Sequence, residues 1–182
     1  MVQIHQTGEA DLKNLQELWR RGDVMSPAGF PDGLHETDGE MAEWLRRMRQ
    51  SRPLADHYSI YEDDVYCGES GYQLDPATGS ARLDAKLLPA ARGRGLAEGG
   101  LTYAVFSAFQ AGAERVWASP DPNNGKAVAL CRRLGLVPRA TPPALCGAVR
   151  PNACYMERLA SDPPPGGCGG CSGGNCAQCA GR

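Results

Sequence analysis

Six residues, Arg92-Gly93-Arg94-Gly95-Leu96-Ala97, hold the densest chemistry in this chain. Two guanidinium groups alternate with two glycines, directly ahead of apolar residues at Leu101, Ala104, Val105, Ala108 and Phe109, a helical spacing. Before them, Ala81 to Leu88 mixes leucine with alternating polar residues and reads as a strand. A strand that runs into a glycine-rich turn and opens a helix leaves first-turn N–H groups unpaired at the positive end of the helix dipole. Glycine lets the backbone approach a ligand closely and arginine adds charge, so the turn is expected to bind an anion, phosphate above all. Neither common nucleotide turn fits. The dinucleotide pattern needs a glycine where Glu98 stands, and the triphosphate loop needs Lys-Ser/Thr after a glycine, whereas Gly100 is followed by Leu101.

A second pattern closes the chain: Cys168-x2-Cys171-x4-Cys176-x2-Cys179. Four thiolates in two such pairs suit tetrahedral zinc or an iron–sulfur cluster. The middle spacing is shorter than in zinc ribbons, and the alternative is a flexible, thiol-rich tail. Cys67, Cys146 and Cys154 stand outside this pattern. The composition changes at Ser161-Asp162-Pro163-Pro164-Pro165, a stiff spacer, after which no large apolar side chain remains to build a core. The chain therefore divides into a folded domain over residues 1–159 and a Pro/Gly/Cys-rich tail over 160–182.

What does fit the turn is Arg-x-x-Gly-x-Ala, at Arg92, Gly95 and Ala97, which resembles the acetyl-CoA pyrophosphate loop of the GNAT superfamily of N-acyltransferases. A second block supports the same family. Asn124, Ala127, Leu130 and Gly135 fall on the positions of its Asn-x-x-Ala-x-x-Leu-Tyr-x-x-x-Gly-Phe pattern, with Cys131 and Leu136 in place of the Tyr and Phe. The resemblance covers residues 1–159. It implies an α/β fold, a mixed and mostly antiparallel sheet flanked by helices, whose two parallel central strands splay apart around the pantetheine arm. It also implies acetyl-CoA as a partner, held by Leu87, Leu88, Arg92, Gly93, Arg94, Gly95, Leu96, Ala97, Asn124 and Ala127. A backbone N–H between Ala85 and Leu88 would polarise the thioester. The implied reaction is direct attack of a neutral amine, on a small molecule or a protein, upon that thioester. Glu69 and Asp84 are the strand carboxylates expected to face the cleft as candidate bases. Cys131 holds the place of the family's proton-donating tyrosine and is a candidate acid or a buried packing residue, with Tyr103 and Tyr155 as possible substitutes. The competing reading is a catalytically silent scaffold that senses acyl-CoA or metal.

The elements needed to position these residues follow from periodicity. Val2–Gln6 alternates as a strand, and Leu12, Leu15, Leu18 and Trp19 share a helical face. Residues 22–36 read as a loop, and Thr37 or Asp38 caps a helix whose stripe is Met41, Trp44, Leu45 and Met48. By resemblance this helix–loop–helix walls the acceptor site. His57–Tyr61 and Val65–Leu74 read as strands around Glu62-Asp63-Asp64, and a turn at Asp75–Gly79 feeds the central strand. A crossover helix leads to Arg115–Ser119, parallel to the central strand. A further helix starts after Asp121-Pro122-Asn123, and 136–140 and 154–159 close the sheet. The chain of 182 residues carries a formal net charge of −2. That balance predicts no nucleic-acid face. The absence of an apolar run of spanning length and of a signal-peptide layout predicts a cytoplasmic protein with reduced thiols; a monomer or homodimer is expected.

Overall fold

The computed structural model describes residues 1–165; the four tail cysteines lie outside them. Seven strands form one sheet in the order β1-β2-β3-β4-β5-β7-β6. They are β1 (Val2–Gln6), β2 (Ala55–Glu62), β3 (Val65–Asp75), β4 (Ser80–Leu87), β5 (Arg115–Ala118), β6 (Val137–Pro138) and β7 (Met156–Leu159). The helices are α1 (Leu12–Trp19), α2 (Gly22–Met25), α3 (Asp38–Ser51), α4 (Leu96–Gln110) and α5 (Gly125–Arg133). All neighbouring strands are antiparallel except β4 and β5, which are joined by the crossover through α4. This is the mixed, mostly antiparallel α/β arrangement expected from the sequence.

Side-chain alternation along β4 sorts the layers. Ala81 and Leu83 point into the larger core with Leu101, Ala104, Val105 and Ala108 of α4 and Leu134 and Leu136 beyond α5. Arg82, Asp84 and Lys86 take the opposite face. On that face, Leu15 and Leu18 of α1, Val24 of α2, Met41 of α3 and Tyr66 of β3 make the second core. Each such leucine, fully buried, is worth roughly 1.5–3 kcal/mol of transfer free energy. Helix α4 lies close against the sheet at Gly100, where a Cβ would sit 2.5 Å from Ile60 Cδ1. Ser70 Oγ donates to the Gly100 carbonyl at 3.0 Å.

Helix α3 begins at the cap predicted for it. Thr37 accepts from the Glu40 N–H, and Glu40 reaches back to the Thr37 N–H at 2.7 Å, a reciprocal capping box. Two expectations are corrected. Residues 22–36 are not all loop: α2 and a 3-10 turn at Ser26–Ala28 occupy the start, with Val24 and Met25 buried. Two apolar residues are too few to print a period on the sequence. The strand expected over 136–140 shrinks to Val137–Pro138, because it pairs only with Glu157 and Met156 of β7. Pro138 also lacks the N–H that would continue a ladder.

Candidate functional site

The site is built where β4 and β5 part. Their pairing runs only from Ser80–Arg115 to Arg82–Trp117, whereas β4 continues to Leu87. Alternation decides which backbone groups this frees. The Leu88 N–H donates to the Cys67 carbonyl at 2.9 Å, so even-numbered β4 residues direct their backbone groups at β3. The N–H groups of Ala85 and Leu87 therefore face the side that β5 has left. Leu88, at the end of the stretch expected to supply the N–H, donates its own to β3.

From Leu87 the chain passes through a 3-10 turn at Pro89–Ala91 into Arg92–Gly95 and then α4. Gly93 and Gly95 adopt φ of +80° and +79°, a region that favours glycine, and nothing lies within 4 Å of where a Cβ would stand at either. Gly95 is the N-cap of α4 and supplies no side-chain cap, so the first-turn N–H groups are left for an outside acceptor. Arg92 braces the turn, donating from Nε to the Leu87 carbonyl at 3.3 Å and from Nη2 to the Asp23 carbonyl at 3.4 Å. Arg94 pairs with Glu62. Leu96 is buried and anchors the helix start beside Leu87 and Leu88. Asn124 caps α5, its side chain accepting from the Ala127 N–H at 3.1 Å, which accounts in local terms for two of the four matched positions of the second block.

On the face covered by α1 and α3, side chains from three elements converge on Glu69 of β3. It accepts from Trp19 Nε1 at 2.8 Å, His57 Nε2 at 3.1 Å and Lys86 Nζ at 2.8 Å. Its side chain is 4% exposed. Burial acts to raise this carboxyl, but Lys86 and His57 outweigh it and hold it at about 2. Buried and held by three donors, Glu69 is closed to an incoming ammonium. His57 Nδ1 lies 2.8 Å from Thr7 Oγ1, and Trp44 stacks edge-on against both Trp19 and His57. Lys86 also pairs with Asp84, whose side chain is 59% exposed at the mouth of the gap. Burial acts to lower the Lys86 ammonium, and Glu69 and Asp84 together push it up instead.

Cys131 does not reach this cluster. It packs in the larger core, 6% exposed, and burial, aided by nearby Cys154, pushes its thiol up to about 11. Of the substitutes, Tyr155 is buried beside Trp117, and its hydroxyl donates to Glu157 Oε2 at 2.6 Å. Tyr103 is exposed on α4 and packs edge-on against Tyr58. From the sequence, His57 is one residue of a strand, Trp19 one of an apolar helix face, and Lys86 one of the polar residues alternating along β4. Their convergence comes from strand register and from the docking of α1, neither of which leaves a local pattern. Among the described residues, no group of three or more His, Cys, Asp or Glu side chains is arranged to hold a metal ion. No helix among them is long and apolar enough to cross a membrane.

Solved structures share this architecture. The ribosomal-protein-alanine N-acetyltransferase of Brucella melitensis superposes with a TM-score of 0.69 at 16% identity, over 86% of this chain and 99% of the other. The protein yncA of Salmonella typhimurium, solved with its cofactor acetyl-CoA, gives 0.69 at 18% identity, over 92% and 99%. Spermidine N-acetyltransferase of Vibrio cholerae, in complex with CoA and spermine, gives 0.70 at 17% identity, over 87% and 95%. At these identities the likeness establishes the fold. A search of curated proteins finds no match. Residues 2–137, three-quarters of the sequence, match the family model of the acetyltransferase (GNAT) domain, and the chain belongs to the GNAT family of acetyltransferases.

Proposed function

We propose that this protein transfers the acetyl group of acetyl-CoA to a primary amine by direct attack. The observation that carries the reading is the continuity of two features. The N–H groups of Ala85 and Leu87, freed where β5 leaves β4, lead along the chain to the uncapped, glycine-lined start of α4. An extended arm ending in a pyrophosphate fits this layout: the arm pairs with the strand edge, and the phosphates meet the helix N-terminus. The Leu87 or Ala85 N–H then lies where it can polarise a thioester carbonyl. Asp84 is the exposed carboxylate at the mouth of the gap and takes the proton of the incoming ammonium. Glu69, buried and saturated with donors, anchors that face rather than exchanging the proton. Cys131 serves packing, and the departing thiolate takes its proton from the reacting nitrogen or from water.

The acceptor enters between α1–α3 and the loop before β7, where Arg150 bonds the Pro27 carbonyl across the opening. Two of the neighbours above are named for ribosomal-protein alanine and for spermidine, so a protein amine and a polyamine are both candidate acceptors here. The test is CoA release from acetyl-CoA over a panel holding spermidine, an aminoglycoside and an alanine-initiated peptide. Turnover of a panel amine supports the reading. CoA binding without turnover points to a sensor instead.

For the tail, we propose that Cys168, Cys171, Cys176 and Cys179 hold one zinc ion or iron–sulfur cluster, in a cytoplasmic setting that keeps them reduced. Their spacing is the support for this reading. Metal analysis of anaerobically purified protein, with and without the tail, tests it.

A further inference from the structure

Three ionic side chains stand in line from the interior outward on the α1–α3 face. Glu69 is 4% exposed, Lys86 14% and Asp84 59%. A lysine this deep needs a counter-charge, and Glu69 supplies it at 2.8 Å. Glu69 cannot turn away, because Trp19 from α1 and His57 from β2 hold its other oxygen at 2.8 and 3.1 Å. The ammonium is thus fixed from beneath. Burial does not require a second carboxylate, yet Lys86 also donates to Asp84 Oδ2, two residues back on the same strand face. Opposite Asp84 in β3 is Gly71, which has no side chain to compete for it. The pairing of β4 with β5 ends at Arg82, so Asp84 is the first residue on this face beside the open gap.

We propose that Lys86 is a positioning residue for acetyl transfer: anchored on Glu69, it fixes the Asp84 carboxylate in the orientation that receives the acceptor's proton. The inference rests on the acetyltransferase reading above. The acceptor ammonium gives one proton to the Asp84 carboxylate, and the freed lone pair forms the C–N bond at the thioester carbonyl. The C–S bond breaks with its electron pair on the CoA sulfur, and the second nitrogen proton neutralises that thiolate. Asp84 returns its proton to water. Lys86 exchanges no proton; it holds a geometry.

The experiment is a double-mutant cycle of Lys86→Met and Asp84→Asn in the full-length chain. It reads kcat and KM with acetyl-CoA and the panel amine turned over fastest, and CoA affinity by calorimetry. Asp84→Asn is expected to lower kcat about 100-fold, in the range of a lost general base. Lys86→Met is expected to lower it about 10-fold or more, the cost of a misplaced group. The double variant is expected to be no slower than Asp84→Asn alone, Lys86→Arg to recover most of kcat, and CoA affinity to stay constant. Because Lys86→Met leaves Glu69 buried without its partner, the cycle is repeated in a Glu69→Gln background, where the vacated pair is neutral. Losses that multiply in the double variant, or full kcat in Lys86→Met, overturn the proposal. Wild-type protein that binds CoA but acetylates no panel amine is a separate result, which overturns the acetyltransferase reading and this inference with it.

Discussion

At the scale of single residues, Glu69 has the strongest physical signature. Its carboxyl sits at about 2 in the folded protein against an ordinary 4.5. As pH falls, the unfolded chain takes up this proton first. The stabilisation from Glu69 is therefore complete above pH 4.5 and is lost as pH falls through about 2. Glu69→Gln leaves Lys86 without its buried partner and is expected to cost about 3–5 kcal/mol at neutral pH. Urea unfolding at a series of pH values should show wild-type stability dropping over that acid window and the variant's dropping less steeply, the remaining slope coming from other carboxylates held low, such as Asp23, Glu40 and Glu43. Equal slopes would mean that Glu69 is not held as described. Cys131 gives the opposite expectation. Its thiol is buried and pushed up, so Cys131→Ala should leave kcat unchanged from about pH 6 to 9 while losing stability through the cavity. A loss of rate confined to part of that range would return the thiol to the chemistry. Alternation alone made Glu69 and Asp84 legible in the sequence as strand carboxylates. It could not show that Lys86 joins them or that Trp19 reaches Glu69, because those contacts depend on how β3, β4 and α1 meet.

At the scale of elements, the turn before α4 was the most legible part of the chain. Glycine at positions with φ near +80° and arginine beside them leave few other readings. Gly95→Asp puts a negative charge where the proposed pyrophosphate lies, at a backbone conformation that aspartate tolerates better than most residues. The variant is expected to keep its fold and to lose the rise in melting temperature that CoA gives wild type. An undiminished rise would move the cofactor away from this turn. Asn124 tests the neighbouring element: Asn124→Ala removes the α5 cap and should cost about 1 kcal/mol, read by urea unfolding, even without CoA. The short pieces were hidden for physical reasons. Helix α2 buries only Val24 and Met25, and β6 pairs over two residues, so neither carries enough period to be seen.

At the scale of the whole molecule, contacts continue past the division expected after Leu159. Residues just past β7 still touch the domain: the Ala160 N–H donates to the Glu114 carbonyl, and Asp162 accepts from the Leu159 N–H at 2.9 Å. A chain ended after Pro165, rather than after Leu159, is expected to bind CoA as the full chain does while losing any metal carried by the tail cysteines. Equal metal in both forms, or none in either, would remove the tail site. The central claim concerns the domain itself, that acetyl passes from CoA to a primary amine across the gap between β4 and β5. It is tested most directly by measuring CoA release and acetylated product together, for wild type and Gly95→Asp, over the amine panel with acetyl-CoA. The account predicts product and CoA in equal amounts for at least one amine with wild type, and neither with Gly95→Asp. CoA release with no acetylated amine, or undiminished transfer by Gly95→Asp, would contradict it.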